Sequence, residues 1–359
     1  YRGWFQSSLL VAVGALGRGA PFKECVTHGW TVDGEGKAMH KSLGNGMDPA
    51  EIFDKYGADL LRLWAGSADY HVDVRCSDEI FKQLSQNYLK FRNTCKFCLD
   101  NLVSFDPDHL VQPDEMLPLD KWAVTRLNAL IEKVFAAYDN YEFHVVSHMI
   151  NDFCVVDLSS FYFDIIKDRL YCGEADGLER RSAQTAVWLI LDAMTRMFAP
   201  ILAFTCDEVW LAMPHRSADD ARNVLFNEMV QPYRGYALTE EEMGKWARLA
   251  ALRTAVNGAL EQARADKTIG KSLEAEVDLT VTAEDAFLAD MDAADLADTL
   301  IVSQVRVDVG AEQTVAVRPA AGAKCLGCWK VLPTVGSDAE HPELCPRCAA
   351  VVKDLPVIE

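Results

Sequence analysis

The sequence is short of positive charge. Its 359 residues carry 35 Lys and Arg against 54 Asp and Glu, a net charge of −19. That balance excludes broad, non-specific attraction to nucleic acid, which draws its affinity mostly from Lys and Arg set against phosphate. It leaves room for a local basic track on an acidic chain. Long apolar runs are also missing, and none approaches the roughly 18 residues that read as a membrane span. The stretch SSLLVAVGALG (Ser7–Gly17) is short, amphipathic and without a basic leader, so it does not read as a signal peptide. There is no internal repeat and no low-complexity segment. A regular cysteine framework is absent too. Of the 11 cysteines, Cys25, Cys76, Cys95, Cys98, Cys154, Cys172 and Cys206 are scattered, several in apolar text. An odd, irregular set fits a reducing cytoplasm rather than a disulfide-stapled secreted protein. The initiating Met is missing as well: the text opens at Tyr1 as if already inside a domain, and we expect a fragment whose N-terminal part lies upstream.

What is present is globular material. Half of the chain is hydrophobic and a quarter is charged, enough for two or three domains of about 100–200 residues each.

The sharpest spacing is at the end. Cys325, Cys328, Cys345 and Cys348 form two C-x2-C knuckles separated by Gly-, Pro- and Ser-bearing loop text. Two knuckles can place four thiolates in a tetrahedron around zinc, and four protein ligands leave no open position, so the metal is expected to be structural. The segment is too short and polar to build a core alone, so zinc is expected to supply most of its folding energy. A redox pair or chance pairing is the alternative, and His341 could replace one Cys. Cys95 and Cys98 also spell CxxC, but they lie in text with helical apolar spacing (Tyr88, Leu89, Phe91, Cys95, Phe97, Cys98, Leu99, Leu102) and read as core residues.

Residues 1–35 read as helix, then a strand near ECVTHGWTV. Asp48 and Pro49 then signal a helix start. From about Ile80 to Met213 the text is amphipathic helix with a 3.6-residue apolar stripe and short Pro- or Gly-bearing breaks. This reads as an antiparallel bundle. A further helix follows, then three short strands (SLEAEVDLTVT, TLIVSQVRVDV, QTVAVRPA) of a small α+β element, then the cysteine tail.

Between the first strand and the helix after Asp48 lies GKAMHKSLGN (Gly36–Asn45), a concentration of positive charge in an acidic chain. Lysines on flexible stems reach phosphate as point charges, flanking glycines admit a ligand to the backbone, and Ser42 can donate a hydrogen bond. A loop joining strand to helix also sits where α/β sheets bind nucleotides. A solvated turn is the plainer reading of the same composition.

HGWTVDGEGKAMHKSLGN (His28–Asn45) resembles the second signature of the class I aminoacyl-tRNA synthetases, usually Lys-Met-Ser-Lys-Ser. The segments YRGWFQSSLL, KSLGNGMDPAEIFDKYGADLLRLW, FHVVSHMINDFCVVDLSSFYFDIIKDRLY and APILAFTCDEVW narrow the resemblance to the bacterial isoleucyl-tRNA synthetases. The segment ALEQARADKTIGKSLEAEV and the cysteine tail extend it over essentially the whole chain. Valyl and leucyl relatives fit worse. Met39, Lys41 and Ser42 match the signature, whereas Ala38 stands where Lys is usual and His40 where Ser is usual.

The resemblance implies a mainly α fold: residues 1–50 the C-terminal part of a Rossmann-like α/β catalytic domain, 51–115 a connecting helical region, 116–235 a helical-bundle anticodon-binding domain, 236–318 a helix with a small α+β junction, and 319–359 a zinc module. It implies Lys41 and Ser42 as catalytic, with His28, Gly29, Lys37, Met39, His40 and Lys41 at ATP and its Mg, and Trp4 walling the isoleucine pocket. Candidate contacts to the tRNA for isoleucine are Arg92, Asn93, Trp122, Lys167, Arg169, Arg180, Arg181, Trp329 and Arg347. Each also reads as an ordinary solvated or core residue, and Trp122 reads best as core. The tail adds Lys324 and Lys330 to a basic–aromatic patch suited to single-stranded RNA. The first signature, His-x-Gly-His, and an editing domain are expected upstream of Tyr1, so this polypeptide alone is expected not to form isoleucyl-adenylate at a useful rate. A cytoplasmic monomer is expected, with no membrane partner. The alternatives are a catalytically silent tRNA-binding fragment, another class I synthetase such as the valyl enzyme, and a structural zinc protein.

Overall fold

The computed structural model describes residues 3–354, the Lys41 side chain excepted. Helix α1 (Trp4–Leu10) runs into a π turn at Val11–Ala15 and stops at the glycines and proline of Gly17, Gly19 and Pro21. The strand expected nearby is reduced to β1 (Thr31–Val32). Ahead of it the chain crosses the 68–73 loop instead, with Gly29 donating its N–H to Tyr70 (2.8 Å). A Cβ on Gly29 would lie 2.3 Å from the Val72 carbonyl oxygen, so this crossing demands glycine. Helix α2 (Pro49–Tyr56) starts as its sequence foretold: Asp48 accepts the Ala50 N–H (2.9 Å) and Pro49 fills the first position. Gly57 separates it from α3 (Ala58–Ser67), and β2 (Val74–Arg75) pairs in parallel with β1.

The middle of the chain is the helical stack. It comprises α4 (Asp78–Asn101), α5 (Pro118–Asp139), α6 (Phe143–Asp152), α7 (Phe163–Cys172), α8 (Leu178–Phe198) and α9 (Ala203–Ala212). α6 and α7 are one continuous rod joined by ten π-helical residues, Phe153–Tyr162. One apolar cluster runs from Leu60 on α3 to Val230 beyond α9, with Trp188 and Trp210 fully buried. α8 is its axis, buried from Ser182 to Phe198. Its charged residues are therefore paired: Arg196 meets Asp192 at 2.7 Å and Asp219 at 2.8 Å, and its guanidinium lies 4.7 Å from the Trp210 ring.

Helix α10 (Glu240–Ala265) opens with a reciprocal cap between Thr239 and Glu242 and serves two cores. Trp246 touches the bundle cluster, while Leu249, Leu252, Val256 and Leu260 belong to the next one. That second core is a small α+β unit. Its central strand β3 (Ala275–Val281) carries α11 (Ala293–Leu300) over to a parallel partner, β4 (Gln304–Val309), and pairs antiparallel with β5 (Thr314–Pro319). Alternation puts Val277, Leu279 and Val281 inside. A short ladder of β6 (Ala323–Lys324) with β7 (Val331–Leu332), and α12 (Pro346–Lys353), frame the cysteine tail. No helix among the described residues is long and apolar enough to cross a membrane.

Candidate functional site

The lysine-bearing loop follows the carboxyl end of β1 and is latched shut by two side chains. Asp33 Oδ1 accepts the N–H groups of Glu35 (3.0 Å) and Lys37 (2.8 Å). Asn45 Nδ2 donates to Asp33 Oδ2 (2.8 Å) and to the Ala38 carbonyl (3.1 Å), while Asn45 Oδ1 accepts the His40 N–H (2.9 Å). The Asn45 bond, then the loop's amides, hold the Asp33 carboxyl below its ordinary value. The latch closes a 12-residue excursion whose far end is a 3-10 turn at Lys41–Leu43. Met39 points inward onto the small cluster of Ile52, Cys76 and Phe81 and anchors the loop. His40 and Ser42 are exposed, as is Lys37, which pairs with Glu35 at 2.6 Å. Asp33 and Asn45 join the loop residues expected from the sequence, Lys37 and Met39 through Ser42. The signal was available, because Asx residues at both ends of a Gly-rich loop are the residue types that bond local backbone.

The other expected nucleotide-site residues lie beside the latch. His28 is exposed, its Nδ1 2.6 Å from the Gly29 carbonyl oxygen, and it lines a cavity of about 460 Å³ with Arg62, Tyr70, Tyr138, Phe143 and Ile201. Trp4 is 83% exposed on α1 along a separate groove of about 780 Å³, lined by residues between Trp4 and Pro21.

The candidate RNA contacts divide sharply. Arg92 and Asn93 are exposed on α4. Arg181 donates to the His109 carbonyl (2.9 Å) with its guanidinium 4.9 Å from the Phe105 ring, and Lys167 pairs with Asp164 (3.0 Å). Trp122 is buried against Phe161 and Trp246. Arg169 faces inward toward the fully buried Asp120 (3.7 Å), which also accepts the hydroxyls of Tyr162 (2.6 Å) and Ser182 (2.5 Å). Burial raises the Asp120 carboxyl even against that cation and those donors. Arg180 is half-buried, and its Nε lacks a partner among the described residues. Arg347 is bidentate to Asp168 on α7 (2.5 and 2.8 Å), and Lys330 pairs with Asp298 on α11. These last two cations dock the tail onto the bundle and the α+β unit. Trp329 stays 57% exposed, with Lys271 Nζ 5.8 Å from its ring centre.

In the tail the four thiol sulfurs of Cys325, Cys328, Cys345 and Cys348 lie within 4.8 Å of one another, all buried and none in a disulfide. A tetrahedron with Zn–S bonds of about 2.3 Å has edges of about 3.8 Å, and Cys328 Sγ is 3.9 Å from Cys345 Sγ. The donor set therefore fits zinc. The Cys345 N–H points at Cys325 Sγ (3.2 Å), and a Cβ at Gly327 would lie 3.0 Å from Cys348 Sγ, so a larger residue there would press on a ligand sulfur. Burial pushes the Cys325 thiol up, but backbone N–H groups of Cys345, Cys328 and Gly327 reverse this and bring it to about 7. Burial holds Cys348 up at about 11. Four thiolates packed this closely need a cation between them.

Three family profiles match the chain. Residues 1–77 match "tRNA synthetases class I (I, L, M and V)", residues 120–279 match "Anticodon-binding domain of tRNA ligase", and residues 322–351 match "Zinc finger found in FPG and IleRS". Among curated relatives, the isoleucine--tRNA ligase of Geobacter sulfurreducens is 46% identical over 98% of this chain. That of a Thermoanaerobacter species is 44% identical over 98%, and that of Moorella thermoacetica 45% identical over 99%. The chain spans 39–40% of the length of these relatives.

Proposed function

The chain belongs to the isoleucine--tRNA ligase family of class I tRNA synthetases, and from that premise we propose that it carries the second ATP signature and the tRNA-binding half of an enzyme that activates isoleucine and joins it to its tRNA. In the first step a carboxylate oxygen of isoleucine attacks the α-phosphate of ATP, and the bond to pyrophosphate breaks. Negative charge builds on the phosphoryl oxygens and the leaving group. Lys41 stabilises it, with Ser42, His40 and Lys37 as donors around the phosphates and Mg accompanying the nucleotide. His28 and the Gly29 backbone face adenine, and Trp4 walls the isoleucine side chain. Met39 acts by anchoring the loop, since it packs inward.

Arg92, Asn93, Arg181 and Trp329 are the expected contacts on the RNA side, because they remain exposed or reach the surface. Arg169, Arg347 and Trp122 serve by shaping the surface. Zinc is structural and is held by the four cysteines. The full-length protein acts as a monomer in the cytoplasm.

The observation that carries this reading is the Asp33–Asn45 latch. A solvated turn has no need of two side chains making five hydrogen bonds to hold it, whereas a loop that must present cations to a triphosphate does. The test is Lys41→Gln in the full-length protein, assayed by isoleucine-dependent ATP–pyrophosphate exchange. We expect a loss of about 10²–10³ in rate, with tRNA filter binding unchanged. Undiminished exchange refutes the assignment.

A further inference from the structure

We infer that Arg75, on β2, is a further cation that contacts the triphosphate at the signature loop, an assignment that rests on the nucleotide reading above and adds to it a residue from a neighbouring strand.

The loop's own charge falls short of the task. From Asp33 to Asn45 it carries two carboxylates, Asp33 and Glu35, against two ammonium groups, Lys37 and Lys41. With His40 uncharged near neutral pH, the segment is formally neutral. Lys37 is also already paired with Glu35 at 2.6 Å. A triphosphate carries several negative charges, and stabilising more of them as pyrophosphate leaves takes a local positive excess. At this loop the excess comes from the adjoining strand.

Arg75 is placed to supply it. β2 lies beside β1 with Arg75 in register with Val32, and Val32 is bridged on its other side to Ala38. Arg75, Val32 and Ala38 thus form one row across three segments, and residues in such a row project to one face. Val32 is buried in the middle of the row, whereas Arg75 is exposed. Its guanidinium reaches over to the loop. Gly36 is in the left-handed conformation (φ 85°), and a Cβ there would lie 3.6 Å from Arg75 Nη2 and 3.8 Å from Nε.

The carboxylates around it are engaged elsewhere. Asp33 accepts the Glu35 and Lys37 N–H groups and the Asn45 amide, Glu35 pairs with Lys37, and Asp73 accepts the Trp30 N–H (2.8 Å). Arg75 itself forms no ion pair among the described residues. Arg62 on α3 shows the contrast, since its guanidinium is spent on the Ile201 (2.9 Å) and Pro200 (2.7 Å) carbonyls. A planar guanidinium with its N–H fork unspent matches phosphate oxygens two at a time and stays charged throughout the physiological range.

The test is isoleucine-dependent ATP–pyrophosphate exchange by the full-length protein. Arg75→Gln is expected to lower kcat/KM for ATP about 10–100-fold, less than an enclosed donor would because Arg75 is exposed and screened. The KM for isoleucine should stay at the parental value. A loosened loop would give a similar loss, so the charge is then returned from the other end of the row. Strands lie about 4.8 Å apart, which sets the Cα atoms of Ala38 and Arg75 about 10 Å apart across Val32. Ala38→Lys therefore brings an ammonium toward the place the guanidinium left. It is expected to raise exchange at least about fivefold in Arg75→Gln and to change the parent less than about twofold. Equal effects in the two backgrounds, or no recovery, overturn the contact. Should Ala38→Lys lower the melting temperature, Arg75→Lys and Arg75→Met decide instead. The charged replacement is expected to keep more exchange than the apolar one, and equal rates overturn the contact. Parental exchange in Arg75→Gln, where Lys41→Gln has lost it, overturns this assignment alone, and weakened tRNA filter binding in that variant would give the guanidinium to the nucleic acid. Undiminished exchange in Lys41→Gln overturns the nucleotide reading and this one together.

Discussion

Replacing Cys345 by serine isolates what the metal does for the tail. Cys345 is 3% exposed, its sulfur lies 3.9 Å from Cys328 Sγ, and its amide is the donor that steadies Cys325. The variant keeps the amide and removes one thiolate of four. Apart from cysteines, the module's buried core among the described residues contains only Leu344 and Ala349. A fully buried Leu contributes about 1.5–3 kcal/mol, whereas zinc on a four-ligand structural site contributes about 10–16 kcal/mol at pH 7. The metal therefore dominates the module's stability, and the loss of one thiolate donor of four should weaken its hold enough for a chelator to remove it. We expect zinc content to fall from about one ion per chain to near zero after dialysis against a chelator. The bundle, whose core is separate, should keep its melting transition. Plasma emission spectrometry and thermal circular dichroism read the two quantities independently. A variant that retains one zinc per chain through the chelator step refutes the reasoning.

Three further outcomes are expected. Asn45→Ala removes three hydrogen bonds from the latch; at about 1 kcal/mol each, discounted for exposure, adenylate formation by the full-length protein should fall about tenfold or more in kcat/KM. Unchanged kcat/KM would show that the latch does not position the loop. Asp120→Ala leaves Arg169 facing an empty buried position and should cost about 3–5 kcal/mol in urea unfolding, while Asp120→Asn, which keeps partners for Tyr162 and Ser182, should cost less; equal losses would sink the buried-charge account. Asp78 is held below its ordinary 3.8 by bonds from Lys55, Tyr56 and Lys82. Its carboxylate therefore adds stability above about pH 4, and that stability disappears as pH falls through the depressed value. The difference in melting temperature between the parent and Asp78→Asn should be full at pH 6 and should shrink below pH 4, and a pH-independent difference would contradict this.

Helices and metal ligands were legible in the sequence because their signals are local. The 3.6-residue stripe, Asp48 and Pro49 at a helix start, and paired C-x2-C spacing each depend on neighbours a few positions away. The ten-residue π segment at Phe153–Tyr162 was not legible. Its backbone is met by a long-range partner: Arg253 on α10 reaches the Ser160 carbonyl (3.2 Å) within it and Asp164 (3.2 Å) just beyond it, across the junction of two cores. The strand at β1 was overread for the related reason that its partner β2 offers only two residues of pairing. At the site, the cationic residues of the loop could be named from composition and resemblance. Which cations remain available to a ligand could not, since Arg347 and Lys330 find their acids 179 and 32 residues away.

Those two ion pairs make the cysteine module a cover as well as an appendage. Asp168 on α7 and Asp298 on α11 are masked only while Arg347 and Lys330 sit on them. Were the tail to come loose, two bare carboxylates would surface on the walls of α7 and α11 that Trp329 and Lys330 now close. A polyanion approaching that region would then meet repulsion where it had met balance, so demetallation would change the sign of the welcome as well as remove a foothold.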